Sequence, residues 1–367
     1  MSRRYAAQLR STPVTTQRRA NIVGLGLIGG SVGLALRERG WYVHGEDNDQ
    51  RRVDRAMAIG AIDEQTMCAD SDVTFVATPV LTIADQVQRC LNATTGIVTD
   101  VGSVKGAIVA AIEDPRFVGG HPMAGSELEG LDGADATMFA GAVWVLTPTA
   151  TTADSTFATM ASIAADFGAD VVVLSADRHD QVVAVVSHVP HLAAATLMGL
   201  ASERGEEHAA LLRLAAGGFR DMTRIASGHP GIWLDICAEN REAILGGLDG
   251  LIDGLRRMRE IIRDDDRAAL HERLRRARDA RANLPTRGMR PNELAEVRIP
   301  IPDRTGAAAE VFTLAAELGV NIASFEVVHS VEGNRGVAIV LIDVNTADLF
   351  RGGLVARGFR PAIQRLD

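Results

Sequence analysis

The stretch NIVGLGLIGGS, residues 21–31, narrows the fold of this chain more than any other. Gly24, Gly26 and Gly29 stand in G-x-G-x-x-G spacing, after a strand-like apolar run and ahead of a helical pattern over 29–39. The first glycine permits a tight turn, the second lets a pyrophosphate approach the backbone, and the third lets helix and strand pack closely. Phosphates then sit against the free amides of the first helical turn, around Leu27 and Ile28, where the helix dipole favours anions. Alone the triplet is a weak signal, but here it has the strand and helix that a dinucleotide site requires.

The next strand, WYVHGED, ends in two carboxylates. Asp47 falls 23 residues after Gly24, near the offset at which an acidic group accepts ribose hydroxyls, and Glu46 is the competing candidate. A carboxylate there repels the extra phosphate of NADP, so the expected cofactor is NAD. Thr78 and Pro79, just past a third strand DVTFVATP, are expected to border the same cleft.

Further strands GIVTDVG, FVGGHP, AVWVLTP and VVVLS alternate with helical segments, the pattern of a parallel sheet covered on both faces. Helix then follows helix from 177 to 282, several of them amphipathic, which predicts an all-helical domain that dimerises. LPTRGMRPNE breaks the pattern, and from 296 the order is strand, helix, strand, strand, helix, strand, a small ferredoxin-like βαββαβ module. The fold class expected is therefore α/β with three parts. These are a Rossmann domain over 20–176, a helical domain over 177–282, and the βαββαβ module over 296–367 beyond a linker at 283–295. Residues 1–19, with five arginines and no acid, are expected to be a flexible extension, with a transit peptide as the alternative.

Composition excludes several classes. A formal charge of −9 argues against a general nucleic-acid surface, and no apolar run reaches the ~20 residues of a membrane span. Three separated cysteines fit a reducing cytoplasm and argue against a thiolate zinc site. His188 and His191 are three apart, but Pro190 is expected to interrupt their helix and no acidic third ligand is suitably spaced, so no metal is expected.

His121, in FVGGHPMAGSELEG, follows two glycines and precedes Pro122. Glycine allows a sharp turn or a close approach, and proline holds its neighbour extended. Such a histidine is either aimed at a ligand or part of a structural turn in which its ring caps a carbonyl.

Taken together, GLGLIGGS, TDVGSVKG, GGHPMAGSE, DRHDQVVAVVSHVPHLAAATL and GGFRDMTRIASGHPGIWLDI resemble the prephenate/arogenate dehydrogenase family of tyrosine biosynthesis. They occur in family order over residues 21 to about 240. The resemblance implies an NAD-dependent oxidative decarboxylation, in which a hydride leaves C4 of a cyclohexadiene ring while the ring carboxylate departs as CO2. It implies that His121 draws the proton off the 4-hydroxyl, a role suited to a neutral imidazole at neutral pH. Ser103 matches the serine that orients this histidine, with a helix N-cap as its structural reading. Arg224 matches the arginine that holds the substrate carboxylate, as a guanidinium fork does, with pairing to Asp221 as the alternative.

His191 and Trp233 match groups that place the substrate, and Ser126 lies in the same motif as His121. His179 and His188 are read as supporting or packing groups, with His179 able to gate the site. Lys105, the only lysine in an arginine-rich chain, stays without a role. Glu129 stands where the family has a small polar residue, a departure at the pocket rim. The substrate, prephenate or arogenate, is not decided by these residues. A sensor that binds dinucleotide without reacting is the alternative from another class.

The βαββαβ segment resembles an ACT domain through IPDRTG and LGVNIASFEV. That likeness implies an amino-acid site at Asp303, Gly306 and Asn321, with tyrosine as the expected effector. Alanines at the head of the helix that begins GAAAEVF leave structural dimerisation as the competing role.

Overall fold

Short apolar runs with no polar alternation have two faces to bury, and here they form one seven-stranded sheet. The computed structural model describes residues 17–126, 128, 130–207, 217–228, 230–283, 294–302, 306–329 and 335–365. Strands β1 (Arg19–Val23), β2 (Tyr42–Glu46), β3 (Val73–Val76), β4 (Ile97–Asp100), β5 (Phe117–Pro122), β6 (Val143–Thr147) and β7 (Asp170–Val173) lie in the order β2-β1-β3-β4-β5-β6-β7. Helices α1 (Leu27–Glu38), α2 (Gln50–Ala58), α3 (Val80–Ala93), α4 (Gly106–Ala110) and α5 (Asp154–Asp166) connect them.

One pairing departs from the all-parallel expectation: β6 runs antiparallel to β5. Between these strands the described chain holds only a 3-10 turn, Gly130–Gly133, and no crossover helix. A parallel return needs a crossover of a dozen residues or more, usually helical. Without it the chain comes back in the opposite sense, and β7 then pairs parallel with β6. The core beside this reversal is aromatic. Trp144 is fully buried against Phe75, Phe139 and Phe167, with ring centroids 5.1 to 6.4 Å apart.

The helical part begins with α6 (Ala176–Val183), a π turn (Ala184–His188) and α7 (Val189–Glu207) in one continuous run. Pro190 does not end the helix, contrary to the sequence reading. Proline lacks an N–H for the carbonyl four residues back and crowds it. The run accommodates this by widening to a π turn just before it, a distortion that recurs at functional sites. By length and composition Ala176–Glu203 is apolar enough to cross a membrane. Its inward residues, however, include the buried His179, Asp180, His188 and His191.

Then come α8 (Gly217–Thr223), a 3-10 turn (Arg224–Ser227), α9 (Pro230–Glu239), α10 (Arg241–Arg263) and α11 (Arg267–Ala282). Ile236 and Ile244 pack with Val104 and Ala184 into a small core, which ties these helices to the loop after β4. Val185, Val186, Leu200, Met222 and Leu234 remain exposed.

By contacts the chain divides into two compact units, 1–253 and 254–367. Within the second unit the end of α10 and the start of α11 are joined by a short turn and run antiparallel, with Arg273 donating to the Gly254 carbonyl at 3.4 Å. The chain continues through β8 (Leu294–Pro302), α12 (Ala307–Glu317), β9 (Ile322–His329), β10 (Arg335–Asp343), α13 (Ala347–Ala356) and β11 (Ala362–Arg365). These strands form an antiparallel sheet in the order β11-β8-β10-β9, over a core of Val297, Ile299, Val311, Leu314, Val340, Phe350 and Leu354. Gly306 caps α12 at φ +87°, and Asn321 is exposed just before β9. Asp303 lies outside the described residues, as do 284–293 of the expected linker.

Trp144→Ala removes the centre of the aromatic core and should cost about 3–5 kcal/mol. Urea unfolding of the variant checks this, and an unchanged midpoint would show that the cluster is not what holds the reversed edge of the sheet.

Candidate active site

The glycine triplet divides its labour as the spacing predicts. Gly24 adopts φ +96°, and a Cβ there would lie 2.6 Å from the Ala77 carbonyl at the end of β3. A Cβ on Gly29 would meet the Gly24 carbonyl at 2.0 Å, so this glycine exists for loop-to-helix packing. A Cβ on Gly26 meets nothing within 4 Å. Gly26 is the N-cap of α1 with no side chain capping the helix, so the space in front of the Leu27 and Ile28 amides is free for an anion. Asp47, at the end of β2, accepts from the amides of Leu25 (2.8 Å) and Asp49 (2.9 Å) and so braces the loop. Each carboxylate oxygen keeps a further acceptor position. Asp47 also lies 3.6 Å from the Arg52 guanidinium, and Glu46 is paired with Arg89.

Thr78, after β3, has a buried hydroxyl with no partner, and Pro79 is the N-cap of α3. A buried hydroxyl without a hydrogen bond is costly, and a polar ligand in this cleft would relieve it. The open face at Gly26, the free helix terminus and the unpartnered hydroxyl all fit a dinucleotide.

His121 lies within β5, between β4 and β6, and not in a turn. The glycines before it serve close packing. A Cβ on Gly119 would lie 2.4 Å from Thr147 Oγ1, and one on Gly120 would lie 2.7 Å from the Asp100 carbonyl. Extended geometry before Pro122 thus comes from the sheet as well as from the proline.

The His121 ring does not cap a carbonyl. Its Nδ1 lies 2.8 Å from Nε2 of His179, and Nδ1 of His179 lies 2.7 Å from Oδ1 of Asp180. All three residues are buried. Burial works to raise the Asp180 carboxyl, but hydrogen bonds from His179 and from the amides of Lys105 and Gly106 outweigh it and hold it below its usual value. An ionised carboxylate only accepts, so His179 donates through Nδ1 and keeps Nε2 as an acceptor. His121 then donates through Nδ1 and keeps its own Nε2 lone pair. Burial, with His179, Lys105 and His188 nearby, holds His121 well below 6.5 and therefore neutral.

The amides of Lys105 and Gly106 donate to Asp180 at 2.8 and 2.7 Å, so a residue of α6 caps α4. Ser103 is half-buried and makes no side-chain hydrogen bond among the described residues. The helix cap read for it thus belongs to Asp180, and the ring contact that orients His121 comes from His179. Lys105 is fully buried and ion-paired with Asp100, which also accepts from the Gly102 and Gly120 amides. Burial pushes the Lys105 ammonium down while Asp100 pulls it back, and the pair locks the loop after β4 beneath β5. A branched guanidinium would not fit in this enclosed space, which explains the only lysine.

Beyond this column, His191 stacks on Trp233 at 3.6 Å and 13°, and His188 meets the same indole edge-on at 5.9 Å. Burial lowers both histidines, His188 to about 4. Asn240 donates to the Asp180 carbonyl and lies 3.2 Å from Nδ1 of His188. The 3-10 turn that begins with Arg224 packs on α7, which carries His191, and Arg224 itself is solvent-exposed. Ser126 is exposed and accepts from the Leu128 amide, while Glu129 lies outside the described residues. Among the described residues no His, Cys, Asp or Glu group is arranged to hold a metal ion. Asp180, Asn240 and Asp100 went unread in the sequence. Asp180 directly follows His179, and Asp100 opens the DVGSVKG motif.

A family model described as prephenate dehydrogenase, nucleotide-binding domain, matches residues 32–173, and one described as prephenate dehydrogenase, dimerization domain, matches 175–276. Over 335 residues the chain is 32% identical to prephenate dehydrogenase of Bacillus subtilis, covering 86% of this chain and 90% of that one. The chain belongs to the prephenate dehydrogenase family. Two solved structures agree. Prephenate dehydrogenase from Aquifex aeolicus, in complex with hydroxyphenyl propionate and NAD+, has a TM-score of 0.68 at 31% identity, covering 73% of this chain and 98% of that one. Synechocystis arogenate dehydrogenase has a TM-score of 0.62 at 31% identity, covering 72% and 98%. The two family models of prephenate dehydrogenase meet between 173 and 175, so the contact of His121 with His179 joins one to the other.

In this member of the family, Gly26→Ala should fold with unchanged Tm, because the added methyl meets only open space, yet weaken NAD binding about tenfold or more. Calorimetric titration with NAD checks this, with Gly29→Ala as the contrasting variant that loses Tm as well. Undiminished NAD affinity in Gly26→Ala would mean that the cofactor does not approach the backbone there.

Proposed function

We infer that this chain is an NAD-dependent prephenate dehydrogenase that converts prephenate to 4-hydroxyphenylpyruvate and CO2 in tyrosine biosynthesis. The observation that carries the reading is a buried histidine, His121, kept neutral with one lone pair free, beside a dinucleotide cleft in a chain of this family. Bound NAD supplies the hydride acceptor. His121 Nε2 takes the proton of the 4-hydroxyl as that carbon becomes a ring carbon of the phenol, and aromatisation drives loss of the carboxylate. A neutral imidazole is the form that does this.

The other roles follow the resemblance and the chemistry of each group. Arg224 binds a substrate carboxylate through its two-pronged guanidinium. His191, held flat against Trp233, and Ser126 line the substrate side. Ser103 hydrogen-bonds on the nicotinamide side. Asp47 receives the ribose, with Leu27, Ile28 and Thr78 on the phosphates and nicotinamide half. Prephenate is the substrate named for the Bacillus and Aquifex relatives, whereas the Synechocystis relative is named for arogenate.

We also propose that the helices from 177 to 282 pair two copies of the chain into a homodimer. The exposed Val185, Val186, Leu200, Met222 and Leu234, in a segment matched by a dimerization-domain model, support that arrangement. On this reading the protein is cytoplasmic. The C-terminal module is read as ferredoxin-like and ACT-like, since the strand order β11-β8-β10-β9 is the one a βαββαβ chain of that type produces. Its effector would be tyrosine, bound near Gly306 and Asn321.

The test is NADH formation by purified protein with prephenate and with arogenate, each repeated in the presence of tyrosine. Turnover of prephenate is expected, with inhibition by tyrosine, and turnover of arogenate alone would move the enzyme to the other branch. His121→Asn should retain NAD binding and lose about 10²–10⁴-fold in kcat, the usual contribution of a general base. In the parent enzyme kcat/KM requires the neutral ring, so activity falls only as pH drops through the His121 pKa. Because that pKa is lowered, the acid limb should lie below 6.5. An acid limb above neutrality would speak against His121 as the base.

A further inference from the structure

We propose that His179 and Asp180 form a positioning pair that sets the tautomer of His121 and takes over the positive charge His121 acquires during turnover. The proposal rests on His121 being the base. The surroundings of His121 explain why a pair is needed. It faces the Lys105 ammonium from the segment before α4, His188 from the π turn and His179 from α6. Neither histidine carries a negative charge, and the Asp100 carboxylate is already committed to Lys105. Among the described residues, the anion placed to stabilise a new cation is Asp180, and it touches His179, not His121. His179 is fully buried between them, with 2.8 Å on one side and 2.7 Å on the other.

The step balances without any other reactant. The substrate O–H bond breaks and an N–H bond forms at His121 Nε2. The Nδ1 proton of His121 shifts along its hydrogen bond to His179 Nε2. His121 is then neutral, and His179 is an imidazolium with its Nδ1–H on the Asp180 carboxylate. As the carboxylate departs as CO2 and the ring aromatises, His121 Nε2 returns its proton to the ring oxygen, which becomes the phenol hydroxyl, the proton on His179 Nε2 returns to His121 Nδ1, and the starting tautomers are restored. His179 thus acts through His121 and touches neither substrate nor cofactor in this scheme.

The experiment is steady-state NADH formation from prephenate by His179→Gln in the full-length protein across pH 5–9, beside NAD binding and thermal unfolding. Glutamine can accept the Nδ1–H of His121 and so preserve its tautomer, but it cannot take up a proton. Expected are a kcat about 10–100-fold lower, the lower part of what proton-transfer groups contribute, with KM, NAD affinity and Tm near the parent values. The acid limb should move to higher pH, because the cation that competes with His121 is gone while the charge of Asp180 remains. Parental kcat and pH profile in the variant overturn the proposal. So does a kcat loss that tracks lost Tm with the limb unmoved, since that marks packing alone. If glutamine does not fold, His179→Ala is assayed with added imidazole and with 1,2,4-triazole, a ring of similar size and low basicity. Rescue by imidazole alone supports the pair, and no rescue, or equal rescue by both, counts against it. A parent enzyme inactive on prephenate would instead remove the underlying reading of His121.

Discussion

Asp180 carries more of this structure than any other single side chain. One of its oxygens caps the Gly106 amide, the other caps Lys105 and receives His179, and its own carbonyl accepts from Asn240. A helix of five residues has almost no intrinsic stability, because so few of its amides find partners within it. Here those amides are satisfied by a carboxylate from a later helix. The same carboxylate is kept ionised by them and fixes the proton on the adjacent histidine. Local helix stability, attachment of the helical part to the sheet, and the protonation state of His121 are therefore one interaction.

Beneath it lies the Asp100–Lys105 pair. A buried ion pair gives little net stability, because desolvation offsets most of the attraction, but removing one partner strands a charge. Asp100 has three donors to satisfy it, from Lys105, Gly102 and Gly120, and so it specifies one path for the loop after β4. The glycines before His121 extend that logic. They leave no room for side chains where β4, β5 and β6 converge, so His121 emerges from a layer that cannot shift to accommodate it.

Much of this was legible from the chain. The glycine triplet carried the dinucleotide site because its three steric demands are local and its strand-helix context can be read directly. Strand positions followed from uninterrupted apolar runs. The sense of β6 did not, because it depends on what the preceding loop lacks and not on the strand itself. Ser103 was read as orienting His121, with a helix cap as its structural alternative, whereas the cap comes from Asp180, 75 residues from Lys105, a distance over which sequence offers no signal. His179 was marked only as a supporting or gating group for a similar reason: its importance lies in what its two nitrogens touch. Pro190 was expected to stop a helix, and the rule behind that expectation was sound. The helix met it by gaining width.

That gain is a counted length. In an ordinary α-helix each residue turns the chain by about 100°, since 3.6 residues complete a turn. The π turn over Ala184–His188 absorbs part of a residue without the matching rotation, and so it sets the angle between His179 before it and His191 after it. His179 belongs to the His121 column, while His191 lies flat on Trp233. A one-residue deletion here would swing everything downstream around the axis and separate the two halves of the site, even with every side chain intact. Chemistry in this segment is thus constrained by arithmetic as much as by residue identity. What the segment cannot vary is the number of residues between the two histidines.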